Sequence, residues 1–150
     1  RHLGPDRFMS VDSDVLLHPD AISVTLDLLD DYDAAGSACF LSHPPGLRGD
    51  WIPGSPSWLR PNYARLDSRE RIERSWRPDI TRKVDVLMAI VLMNAEAYDV
   101  DYAVHTLGED IGWAVACKEA GVLLGFDGSG TSKHVMSATK LDIVDARVGF

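Results

Sequence analysis

Hydrophobic positions along this chain change period several times, and each change marks an element. Residues 8–11, FMSV, form a short apolar run that reads as a strand and stops at two carboxylates, Asp12 and Asp14. HPDAISVTLDLLDDYD, residues 18–33, has the helical period instead, with Ile22, Leu26 and Leu29 at i, i+4 and i+7 as its expected apolar face. Pro19 suits a first helical turn and Asp20 suits its positive end. AAGSACFL, residues 34–41, predicts a strand of small residues in a sheet covered on both faces. VDVLMAIVLM, residues 84–93, begins as a buried strand, and NAEAYD after it opens a helical turn. GEDIGWAVACKEAGV, residues 108–122, is the clearest helix, with Ile111, Val115 and Ala116 facing one way and Gly121 as C-cap. VLLGF, residues 122–126, predicts another strand, and DGSGTSKHVM a Gly/Ser loop that reaches His134. Strands alternating with helices, with near-continuous apolar strands, predict an α/β layer fold.

Between these elements the periodicity disappears. SHPPGLRGDWIPGSPSWLRPNYARL, residues 42–66, holds five prolines, three glycines and two tryptophans, and reads as a long ordered loop or an interaction surface. LDSRERIERSW, residues 66–76, predicts a short helix with Asp67 or Ser68 as N-cap. Charge sets the same region apart. The chain carries a net −8, yet Arg48 to Lys83 sums to +4 and the remainder to −12. An acidic frame therefore carries one basic, aromatic-rich insert, spanning about residues 44–83.

Composition narrows the function classes. A chain of 150 residues is long enough for one domain with a real core. The acidic balance argues against nucleic-acid binding by the whole surface. No apolar run reaches the roughly 18 residues of a membrane span, because Asp85 interrupts the longest one. No basic-then-apolar leader opens the chain. Cys39 and Cys117 lie in apolar contexts and read as buried free thiols, which favours a reducing compartment. The expected location is cytoplasmic, either free or peripheral to a membrane.

Asp12 and Asp14 are the first candidates for chemistry. Alternate residues of a strand project to one side, and ligands of open α/β sheets bind outside the carboxyl ends of the strands. Two carboxylates there suit a hard divalent cation, Mg²⁺ or Mn²⁺, held together with substrate phosphates. Glu109 and Asp110 open a helix, where acidic residues complement the dipole or, beside a cleft, act as a general base. His134 offers an imidazole better suited to Mn²⁺ than to Mg²⁺.

The order strand-DxD, strand, insert, strand, GED-helix, strand, His resembles the second half of a GT-A-fold glycosyltransferase of the family-2-like, nucleotide-sugar type. FMSVDSDVLLHPDAI is similar to that superfamily's hDxDhhhxPxxh segment, LGEDIGWAVACKEAG to its EDxxhxxxhxxxG helix, and SKHVM to its C-terminal metal-binding His segment. The resemblance covers about residues 6–136. It implies a partial GT-A (nucleotide-diphospho-sugar transferase) fold with a mixed sheet flanked by helices. It implies a donor nucleotide sugar, a hydroxyl acceptor, and Mn²⁺ or Mg²⁺ as cofactor. Asp14 would be the direct metal ligand, Asp12 would lie nearer the ribose or a metal-bound water, and His134 would be a third ligand. Asp110, or Glu109, would take the acceptor's proton. Trp51, Trp58, Arg69, Arg71 and Arg74 of the insert would shape the acceptor site. Only eleven residues precede Asp12, so the resemblance places residues 1–150 in the C-terminal half and leaves the nucleotide-binding half to be found upstream. Two other readings fit the same residues: a sugar-phosphate nucleotidyltransferase, and a non-catalytic module that binds glycan or a partner.

Overall fold

The structure is a computed structural model that describes residues 6–42, 59–61, 63–66, 72–73 and 82–134. In chain order the elements are β1 (Arg7–Val11), β2 (Val15–Leu16), α1 (Ala21–Leu28), β3 (Ala34–Ser42), β4 (Leu59–Pro61), β5 (Tyr63–Leu66), β6 (Ile72–Glu73), β7 (Arg82–Val84), β8 (Val86–Leu87), β9 (Ile90–Asn94), α2 (Ala95–Tyr98), α3 (Glu109–Ala120) and β10 (Leu124–His134). The main sheet is mixed, with the path β1-β9-β3-β10-β2, β4 added to β3 and β7 to β10. β3 and β10 are parallel, and β9 runs antiparallel to both β1 and β3. β1, β3 and β10 therefore point the same way, and their carboxyl ends share one edge of the sheet.

The expected two-sided burial of the third strand is realised, since residues 34–39 of β3 are all buried. Trp113 and Cys117 of α3, Val84 and Leu87 of the β7–β8 stretch, and Leu124 and Phe126 of β10 form one core cluster with Ala34, Val91 and Met93. A second cluster joins Ile111 and Ala114 of α3 to Val86 and Met88, with Val115 packed against it. Because α3 is held by two clusters, its buried face is not the expected stripe: Ile111 is buried, but Val115 and Ala116 are only half-buried. Gly112, Trp113 and Cys117 are buried along with Ile111, and Gly121 caps the helix.

Helix α1 forms where expected but is rotated by one residue. Its buried positions are Ala21, Thr25 and Leu28, while Ile22 and Leu26 are 48% and 44% exposed. The small Ala21 allows close approach to the sheet. Thr25 tolerates burial because its hydroxyl donates to the Ala21 carbonyl at 2.8 Å. The insert departs further from its expected loop-plus-helix form. Among the described residues it carries strands, with Phe40 of β3 opposite Pro61 and a hairpin pairing Arg65 with Glu73 and Leu66 with Ile72. Ile72 and Glu73 thus belong to β6, not to a helix over 66–76. The Gly/Ser stretch after Phe126 is also not a loop. β10 runs through it to His134, with a bulge between Asp127 and Ser132 that absorbs the extra residues.

Candidate functional site

Asp12 follows the last residue of β1, at the sheet edge where the codirectional strands end. Its backbone N–H donates to the Ala89 carbonyl at 2.9 Å, and its own carbonyl accepts from Val15 at 3.1 Å. The chain therefore turns over Asp12-Ser13-Asp14 and returns as β2. Ala89 reaches this bond from a left-handed conformation, φ 67°, that L residues other than glycine rarely adopt. The apolar run 84–93 is divided twice, at Asp85 between β7 and β8 and at Met88-Ala89 between β8 and β9. β2 pairs with the end of β10, with Val15 opposite His134 and Leu16 opposite Lys133. The His18 N–H donates to the buried Ser132 hydroxyl at 2.9 Å and fixes that pairing. The backbone of position 134 thus lies directly across from the residue after Asp14. The side chain of His134 lies outside the described structure, as do Trp51, Trp58, Arg69, Arg71 and Arg74 in full.

Helix α3 brings the second pair of carboxylates to this edge. Glu109 is exposed and Asp110 half-buried. Burial, then Glu109, then Asp12 push the Asp110 carboxyl up to about 6. Asp12 and Asp110, far apart in sequence, therefore lie within electrostatic reach of each other. Tyr102 belongs to the same cluster. Its phenol is raised by burial first and then by Asp110, Cys117, Asp12 and Glu109. On the sheet side Cys39 is a buried thiol outside any disulfide, pushed up to about 12 by burial and then by Asp12 and Asp14. Both cysteines are buried and outside any disulfide, as expected, and a thiol held so high is not a nucleophile at neutral pH.

Two glycines set the position of Asp110. Gly108 precedes α3 at φ 117°, ψ 164°, a region essentially confined to glycine. Gly112 lies against the backbone of Ala103, and a Cβ there would overlap the Ala103 carbonyl. Gly108→Ala and Gly112→Ala should each destabilise the fold by about 1–3 kcal/mol. For a chain of this size that amounts to about 2–4 °C of melting temperature per kcal/mol, read by thermal unfolding. Unchanged melting in both variants would mean that the loop and helix do not meet as described.

The chemistry of two carboxylates is compatible with a hard cation held partly by substrate. Asp12 and Asp14 supply carboxylate oxygens, and Mg²⁺ commonly takes only one or two protein carboxylates beside phosphate and water. Among the described residues no group of three or more His, Cys, Asp or Glu side chains is placed to hold a metal ion. Sequence reasoning missed Ala89, Tyr102 and Trp113. Trp113 is fully buried, stacks under Tyr102 with ring centroids 5.7 Å apart, and has an indole N–H with no partner among the described residues. Nothing in the pattern marks them, since Ala89 lies inside an apolar run and Tyr102 in a loop without periodicity.

No family model matches the sequence, and no curated protein matches it. Nine chains of solved structures do match. One of them is A197 from STIV, with a TM-score of 0.53 and 17% identity over 88% of this chain. The chain spans 59% of the length of A197. At that identity the likeness shows a shared mixed α/β fold and nothing about activity. Among the described residues no helix is long and apolar enough to cross a membrane.

Proposed function

We propose that this chain carries the metal-binding and base-bearing part of a GT-A-type glycosyltransferase, which moves a sugar from a nucleotide-diphosphate sugar to a hydroxyl acceptor. The observation that carries the reading is that Asp12, which follows β1, and Asp110, in the first turn of α3, lie within electrostatic reach of each other. These are the two carboxylate motifs on which the family resemblance rests. The register of β2 against β10, which sets position 134 beside Asp14–Val15, supports the third element of that resemblance.

In this reading each group has a distinct task. Asp14, with Asp12, binds the divalent cation, and Asp12 also faces the donor ribose. A divalent cation held there would supply electrostatic offset for charge on the departing diphosphate. Asp110 acts on the acceptor side. Its carboxylate takes the hydroxyl proton as the acceptor oxygen bonds to the anomeric carbon and the bond to the diphosphate breaks. A carboxyl raised towards neutral pH suits that task, because proton transfer is most effective when the base titrates near working pH. The acidic cluster would repel a bare diphosphate, so donor binding should require the cation.

Isothermal titration of the full-length gene product with UDP and GDP, with and without Mn²⁺, tests the donor half of this reading. The expected result is binding of one nucleotide with Mn²⁺ and at least about 10-fold weaker binding without it. Metal-independent binding, or none of either nucleotide, would remove the donor site from this edge of the sheet.

A further inference from the structure

We infer that the loop between α2 and α3, residues 99–108, forms the acceptor subsite of this site, with the ring of Tyr102 as a platform for a neutral sugar ring. The inference rests on the transferase reading and adds the class of acceptor.

Tyr102 is presented as a fixed surface. One face stacks on the fully buried indole of Trp113, with 16° between the planes, yet the residue remains 52% exposed. The loop around it is braced at several points. Val100 packs against the main core cluster. The Ala103 backbone rests on Gly112 without room for a Cβ. The Leu107 N–H donates to His105 Nδ1 at 3.1 Å, and the Gly108 N–H to the His105 carbonyl at 3.1 Å. A platform braced in this way loses little freedom when a ligand settles on it.

Its surroundings decide what the platform takes. Asp12, Glu109 and Asp110 lie within electrostatic reach of the phenol. A pyranose presents an apolar C–H face and a rim of hydroxyl donors. The first suits an exposed aromatic ring, and the second suits carboxylate acceptors. An anionic acceptor would meet only like charge at these three groups. The phenol, raised by burial and by these carboxylates, stays protonated and able to donate.

Saturation-transfer NMR on the full-length gene product tests this, with glucose, galactose, mannose, N-acetylglucosamine and cellobiose as neutral probes and glucuronate as the charged one. At least one neutral saccharide should bind the wild type, and more tightly than glucuronate. Tyr102→Phe should keep binding within about 3-fold, whereas Tyr102→Ala should weaken it about 10-fold, as loss of one stacking face implies. Tyr102→Leu keeps Trp113 covered without offering a flat ring, and it should bind as poorly as the alanine variant. Affinity for UDP or GDP with Mn²⁺ should be equal in all four proteins. The inference is overturned if no neutral saccharide binds, if Tyr102→Ala or Tyr102→Leu binds as well as wild type, or if glucuronate binds as well as the neutral sugars. Absence of nucleotide binding in the wild type would instead count against the transferase reading, leaving the saccharide result to stand by itself.

Discussion

Asp110→Asn should lower kcat by about 10²–10⁴-fold, the usual worth of a general base, while leaving nucleotide and metal binding intact. The amide keeps the carboxyl's shape at the start of α3 and removes its ability to take a proton. In the wild type the rate should rise with pH through an apparent pKa of about 6, because Asp110 must be ionised to act. Glu109→Gln should cost less, since adjacent helical residues diverge by about 100° and Glu109 points to solvent. Stability should move the other way. The Asp110 carboxyl is raised in the fold above its ordinary value of 3.8. Stability is therefore greatest while the group is protonated and is lost as pH rises through about 6. Asparagine escapes that loss. The melting temperature of Asp110→Asn relative to wild type should climb between about pH 4 and about pH 6 and level off above that. A flat difference across that range would mean that Asp110 is not held in an anion-disfavouring cleft.

Asp14→Asn should abolish metal-stimulated transfer. A carboxylate-to-amide change at a cation site retains the oxygen's position but removes the charge that holds a hard divalent ion. Asp12→Asn should weaken both the nucleotide and the metal, since in the proposed reading Asp12 serves both. It should also lower the apparent pKa of Asp110, because one of the charges that raises it is gone. His134→Ala should lower Mn²⁺ affinity about 10- to 100-fold if the imidazole is a ligand. Metal titration of these three variants gives the ranking. Unchanged metal dependence in Asp14→Asn would remove the cation from this turn.

Much of the framework was legible because it depends on local periodicity. β1, β3 and α3 lie where apolar period and capping residues put them, and Asn94 caps α2 by accepting the Ala97 N–H at 2.9 Å. The errors arose where tertiary contacts override local preference. RERIER reads as helical, but Ile72 and Glu73 pair with Leu66 and Arg65 across a hairpin. The outward turn of Ile22 and Leu26 follows from Thr25 satisfying its own hydroxyl within the helix, which hydrophobicity alone does not register.

The candidate site divides along the same line. Asp12, Asp14, Glu109 and Asp110 were visible as motifs, because carboxylates at strand and helix ends carry a recognisable pattern. Tyr102 and Ala89 were not. Each matters through one through-space relation, a ring stacked on Trp113 and a left-handed carbonyl received by Asp12. Gly112 appeared only as a helix residue, although its missing Cβ is what admits the loop that carries Tyr102.

The most direct test of the account is the product released from a panel of nucleotide sugars by the full-length gene product with Mn²⁺, identified by phosphorus NMR in wild type and Asp110→Asn side by side. The account predicts a nucleoside diphosphate, formed only with the cation and slowed in the variant. Pyrophosphate, formed from a nucleoside triphosphate and a sugar phosphate instead, would contradict it, as would nucleoside diphosphate released equally by both proteins.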